Sequence, residues 1–150
     1  MNQETTKTTD ASRILQQVDK TLNVIGTEKL LEILIYSRKN NIQITQDQIS
    51  HSEQIIQITC DEFGISLLEF YSSKRKNNRR NAIGVCALFL QDEVGLDNAN
   101  ISYVLKKPAG ITSIYKNEIV SLNPSHKVDI VTLEKIKNIK AKLNKLKDGQ

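Results

Sequence analysis

The chain has 150 residues, 39% hydrophobic and 25% charged, with 21 Lys and Arg against 17 Asp and Glu. That length fits one domain, or one domain with a small appendage, and is enough to bury on the order of 70% of the unfolded surface in a single core. A net charge of +4 does not by itself demand a polyanionic partner, two cysteines make no disulfide framework, and no stretch reaches the roughly 18 apolar residues that a bilayer-spanning helix needs.

The opening "MNQETTKTTD" is polar and aperiodic, which predicts a disordered tail over 1–10 with no secretory leader. Asp10 or Ser12 can cap a first helix whose Ile14, Leu15, Val18, Leu22 and Ile25 share one face before Gly26 stops it. Thr27 caps a second, "TEKLLEILIYSRK", with Leu30, Leu31, Leu34 and Ile35 inward and Arg38 and Lys39 in the last turn, where cations complement the helix dipole. Together these predict a helical hairpin. "NNIQITQDQIS" reads as an extended piece, a linker or a frayed helix, and is taken as a connection to residue 50.

From Ser52, "SEQIIQITCDEFG" predicts a helix with Ile55, Ile56, Thr59, Cys60 and Phe63 inward and Gly64 at its stop. Ser66 with Glu69 forms a capping-box pattern ahead of Phe70 and Tyr71. After "SSKRKNNRR", the run "NAIGVCALFLQDEVG" is apolar almost all round at Ile83, Cys86, Ala87, Leu90 and Val94, which makes it the expected buried centre. Cys60 and Cys86 are read as reduced core thiols, and the expected location is the cytoplasm.

"DNANISYVLKK" offers Asn98 or Asn100 as cap and Ile101, Val104 and Leu105 as an inner face. Pro108 and Gly110 break the chain, and helical spacing resumes from Ile111 through Ile114, Glu118 and Ile119. Two short helices across a tight turn have the dimensions of a helix-turn-helix. After Pro124 a last helix runs to about Lys147, with a narrow stripe of Leu133, Ile136, Ile139 or Lys140, Leu143 and Leu146 among lysines. The stripe can dock on the domain, the simplest outcome, or pair with a second copy.

The segment from Ile55 to about Leu122 resembles the C-terminal DNA-binding domain of the bacterial replication initiator DnaA, a helical domain with a Trp-repressor-like helix-turn-helix. The likeness rests on "IIQITCDEFGISLLEFYSSKRK", on "ALFLQDEVG" with its Ala87 and Leu90, and on "ISYVLKKPAGITSIYKNEI". In the family the second helix of the motif opens with Gly-Gly-Arg-Asp-His-Thr-Thr-Val. Here "KKPAGITSI" matches its Thr-Thr-Val part at Thr112, Ser113 and Ile114, the Arg, Asp and His have no counterpart, and Ala82 and Gly84 stand where the family has two arginines. The resemblance implies an all-α fold with that helix-turn-helix, an added N-terminal hairpin and a C-terminal lysine-rich helix, arranged as 1–10, 11–50, 51–124 and 125–150.

Lys74, Arg75, Lys76, Arg79 and Arg80 place five cations in seven positions with no acid among them. A run like this is ordinarily a solvated loop, but beside a helix-turn-helix it predicts phosphate contacts, and five of them give a log-affinity slope against log salt of about −4.5. Arg75 or Lys76 can enter a narrow minor groove. Thr112, Ser113 and Lys116 sit where the second helix would reach base edges, with Lys106 and Lys107 in the turn beside them. The expectation is a non-enzymatic protein that binds duplex DNA as a transcription or replication accessory factor. The alternative is a protein-interaction module of the same fold that has lost DNA recognition. RNA is less favoured, with three Phe, four Tyr and no Trp for stacking. No Gly-x-x-x-x-Gly-Lys-Ser/Thr stretch occurs and His51 and His126 have no partner at motif spacing, so no nucleotide, cofactor, metal or catalytic residue is expected. The partners expected are double-stranded DNA and, through the terminal helices, a second copy, but no membrane.

Overall fold

The computed structural model describes residues 3–40, 43–73 and 76–149, and the side chains of 11–35, 43–73 and 76–149. Among these residues the fold is all helical, without strands. Its elements are α1 (Gln3–Ile25), α2 (Thr27–Asn40), α3 (Gln46–Phe63), α4 (Leu67–Tyr71), α5 (Asn77–Phe89) running on as a π-helical turn (Leu90–Val94), α6 (Asn98–Leu105), α7 (Ala109–Val120) and α8 (Lys127–Asp148). None of the described helices is long and apolar enough to cross a membrane.

α5 is the centre, as its unbroken apolar run predicts. Ala82, Ile83, Val85, Cys86 and Leu90 are wholly buried, with Ile55 and Cys60 of α3, Phe70 of α4, Leu105 of α6 and Ile139 of α8 packed around them. α5 and α7 come closest at Gly84. A Cβ there would sit 2.9 Å from the Tyr115 carbonyl carbon and 2.7 Å from Ile119 Cγ1, and would overlap the Tyr115 oxygen. Only a missing side chain lets the two backbones approach this closely. Ala82 and Gly84, where the resembling family carries arginines, both lie in the interior, and a side chain at Gly84 would have to push α7 away.

Local chemistry sets the helix ends. α3 begins six residues ahead of the expected Ser52, because Thr45 and Gln48 form a reciprocal capping box: the Gln48 N–H donates to Thr45 Oγ1 (3.2 Å) and the Thr45 N–H to Gln48 Oε1 (3.0 Å). It ends at Gly64 in the left-handed conformation, φ 65°, with the Ile65 N–H reaching back to the Cys60 carbonyl at 3.0 Å. Asp97, rather than Asn98 or Asn100, caps α6 by accepting from the Asn100 N–H at 2.8 Å. The ionised carboxylate is the strongest acceptor of the three.

α1 begins at Gln3, and residues 3–10 hold no Pro or Gly to interrupt it. One expectation about faces fails. Among the described side chains of α2, Ile33 is buried, against α6, while Leu31, Leu34 and Ile35 point outward. The side chains of Arg38 and Lys39 lie outside the described residues. α8 takes the simple course. Ile139 and Leu143 are buried against the domain, Asn138 and Lys142 both donate to Glu62 at 2.8 Å, and Lys147 pairs with Glu93. Its stripe is used within the chain.

Gly84→Ala is expected to lower stability by about 3 kcal/mol in urea unfolding, since the obstructing atoms include backbone. Gly110→Ala, where an added Cβ meets nothing within 4 Å, should be neutral or stabilising by up to about 1 kcal/mol. Equal effects at both positions would contradict the close crossing.

Candidate nucleic-acid interface

α4 is only five residues long, and a helix end leaves carbonyls without intrahelical partners. Two buried cations supply the missing donors. Arg79, 6% exposed, donates from Nε to the Phe70 carbonyl at 3.2 Å. Lys107, 5% exposed, donates from Nζ to the carbonyls of Tyr71 (3.2 Å) and Ser72 (3.1 Å). The first comes from the start of α5 and the second from the connection between α6 and α7. The stem of the basic segment is thereby fastened to the turn that opens α7.

That turn is itself constrained. Lys106 takes the left-handed conformation, φ 54°, and is the only non-glycine among the described residues with positive φ. Its Nζ lies 4.5 Å from the Tyr71 ring centroid, a cation–π contact that holds the turn down. The Lys107 N–H donates to the Ser102 carbonyl at 3.1 Å, and the Ser102 hydroxyl donates to the Lys107 carbonyl. Burial, reinforced by repulsion from Arg79 and Lys29, pushes the Lys107 ammonium down to about 7. It lines a groove of about 520 Å³ between α2 and the α6–α7 turn, with Glu32 on the opposite wall.

Of the ten residues expected to contact DNA, Lys74 and Arg75 lie outside the described residues. Lys76 opens α5 in an extended conformation, exposed, with Nζ 3.0 Å from Glu69 Oε1. Arg79 and Lys107 are not surface cations at all. Arg80 forms a two-pronged bond to Glu118, Nε to Oε2 at 2.7 Å and a terminal nitrogen to Oε1, and its guanidinium lies 4.8 Å from the Tyr115 centroid. That bond holds the Glu118 carboxyl below the usual carboxylate range. Arg80 thus ties α5 to α7, although its side chain remains partly open to solvent.

On α7 the three residues expected to read bases are buried, half-buried or bonded within the chain. Thr112 is 2% exposed and its hydroxyl donates to the Ala109 carbonyl at 2.9 Å, within its own helix turn. Ser113 is half-buried. Lys116 donates to Gln91 Oε1 (2.8 Å) and Asn98 Oδ1 (3.2 Å), pinning α7 to the π-turn and the start of α6. The outward positions are Ile111 and Ile114, 38% and 55% exposed, with Asn117 beyond them. Of the expected series Ile111, Ile114, Glu118 and Ile119, the first two point outward, Glu118 turns toward Arg80 of α5, and Ile119 is buried. Contact with Gly84 brings Tyr115 and Ile119 against the central helix.

Two features escaped the sequence. α5 and α7, whose N-cap positions are Lys76 and Pro108, both start without a side-chain cap, which leaves N–H groups in their first turns for an outside acceptor. Lys127 and Lys135 of α8 share a groove of about 470 Å³ with Asn77, Asn78 and Asn81 of α5. No local spacing signals that last pairing, because the residues lie some fifty positions apart. Cys60 and Cys86 are free and buried, and burial raises both thiols, Cys60 to about 12, so neither is poised as a nucleophile. No family model matches the chain, and searches of curated proteins and of solved structures return no significant match.

A lysine whose folded-state pKa lies below its unfolded value binds fewer protons when native, so stability rises with pH above about 7, over a window that closes at about 8.5, where the unfolded Cys60 and Cys86 thiols begin to ionise and pull the other way. Urea unfolding at several pH values across that window should show this rise in the wild type and a flatter profile in Lys107→Met. An unchanged profile in the variant would show that Lys107 is not the group responsible.

Proposed function

We propose that the chain is a non-enzymatic duplex-DNA-binding protein, a transcription or replication accessory factor that grips phosphates more than it reads bases. The observation that carries this reading is the double anchor of Arg79 and Lys107 on the carbonyls of residues 70–72. It sets the base of a cationic segment beside the uncapped start of a 12-residue helix, α7. Phosphates accept from Lys, Arg and helix-terminal N–H groups alike. The resemblance of residues 55–122 to the DnaA DNA-binding domain supports the same reading, with α6 and α7 as its helix-turn-helix. The internal bonds of Thr112 and Lys116 argue against specific base reading by these two residues.

A second reading has its own observation. Ile111 and Ile114 give α7 an exposed apolar face without a cation, which suits a protein partner in a module that has given up DNA.

Titration of labelled duplex at several salt concentrations separates the two. With Lys74, Arg75, Lys76 and Arg80 as the contacting cations, the log–log slope should be about −3.6. Replacing Lys74, Arg75 and Lys76 by Ala should flatten it by about 2.7. Arg79 is left intact, since truncating it would unfasten α4. Absence of wild-type binding at low salt would overturn the DNA reading in favour of the second.

A further inference from the structure

The groove of about 470 Å³ between the start of α5 and α8 is lined by polar side chains that the fold leaves unused, and by no carboxylate. Among the described residues, Asn77, Asn78, Asn81 and Lys127 make no side-chain hydrogen bond or ion pair. Lys135 is steadied by its Nζ lying 4.8 Å from the Phe63 ring centroid. Thr132 is 7% exposed, yet its hydroxyl also has no hydrogen-bond partner among the described residues. The fully enclosed, unpaired side-chain atom among them is Asn100 Oδ1, so the Thr132 oxygen keeps an opening, and it opens on the groove that Thr132 lines. A nearly buried hydroxyl without a partner carries a cost that a ligand's acceptor atom would offset.

We propose that this groove binds a phosphate of the DNA backbone, as a contact additional to the basic segment and α7. Two ammonium groups, three primary amides and a free hydroxyl all offer protons to it. The 13-residue α5 begins here without a side-chain cap, which adds first-turn N–H groups and the positive end of the helix dipole. Two acids on the flanks are bonded elsewhere, Glu62 to Asn138 and Lys142, and Asp129 to the Asn123 N–H. The backbone is selected as the source because Lys76 of the basic segment directly precedes Asn77, so one strand can run from the segment into the groove. Exposed Val128 and Val131 on its wall also suit a sugar more than a free ion. The choice of DNA as the source rests on the reading given under Proposed function; the phosphate site does not.

Two arms test it and keep the two failures apart. In the first, inorganic phosphate is titrated into the isotopically labelled full chain without DNA. Amide shifts at residues 77–81 and 127–135 should saturate, and Lys127→Gln with Lys135→Gln should weaken the binding at least tenfold. Thr132→Val, which keeps the shape and removes the hydroxyl, should weaken it about threefold without lowering the urea midpoint. In the second arm, duplex is titrated at several salt concentrations. The groove should add about −0.9 to the slope of about −3.6 due to Lys74, Arg75, Lys76 and Arg80. Lys127→Gln with Lys135→Gln should remove that addition, whereas Lys137→Gln with Lys140→Gln, exposed on the same helix but outside the groove, should not. Absence of phosphate shifts in the groove would overturn the proposal whatever the duplex does. Phosphate binding with a duplex slope indifferent to Lys127 and Lys135 would overturn the backbone as its source, in favour of a free phosphate ester. Phosphate binding by a wild type that takes no duplex would overturn the backbone and the DNA reading together.

Discussion

The near-contact of α5 and α7 at Gly84 is the constraint on which the remaining geometry depends. With no side chain between them, the Tyr115 carbonyl and Ile119 come directly against the central helix, and this fixes the rotation of α7. That rotation buries Thr112 and turns Ile111 and Ile114 outward. It also brings Glu118 to Arg80 and Lys116 to Gln91 and Asn98. Each bond is modest by itself, but together they leave α7 little freedom about its own axis.

A second set of contacts fastens the region next to it. Arg79 and Lys107 bring basic groups into the interior, where an unpaired cation would be costly, and each donates to main-chain carbonyls at the end of the short α4. Cations that look alike in the sequence therefore do different jobs. Arg79 and Lys107 are structural, Arg80 bridges two helices, and Lys76 remains in solvent beside Glu69. The electrostatic reach of the basic segment is smaller than five charges in seven residues suggests, and it is fixed in place at its base.

The helical class, the central place of α5 and the stops at Gly26 and Gly64 were legible because apolar periodicity and glycine at helix ends act locally. The start of α3 was also legible in principle from Thr45 and Gln48, a T-x-x-Q pattern that lies inside a polar stretch. Which face of α2 or α7 turns inward was not legible. Both helices carry apolar residues on two sides, and the choice was made by Ile33 against α6 and by Tyr115 and Ile119 against Gly84. Nor could composition separate a buried lysine at 107 from an exposed one at 76, because burial there depends on contacts about thirty-five residues away.

The central claim is that the anchored basic segment and the start of α7 form one surface for duplex DNA. Its most direct test is a backbone amide correlation spectrum of the isotopically labelled full chain, recorded as duplex is added at low salt. The account predicts shifts clustered at residues 72–80 and 108–117, with α1 and α2 unmoved. Shifts confined to the hairpin or to α8, or none at all, would contradict it.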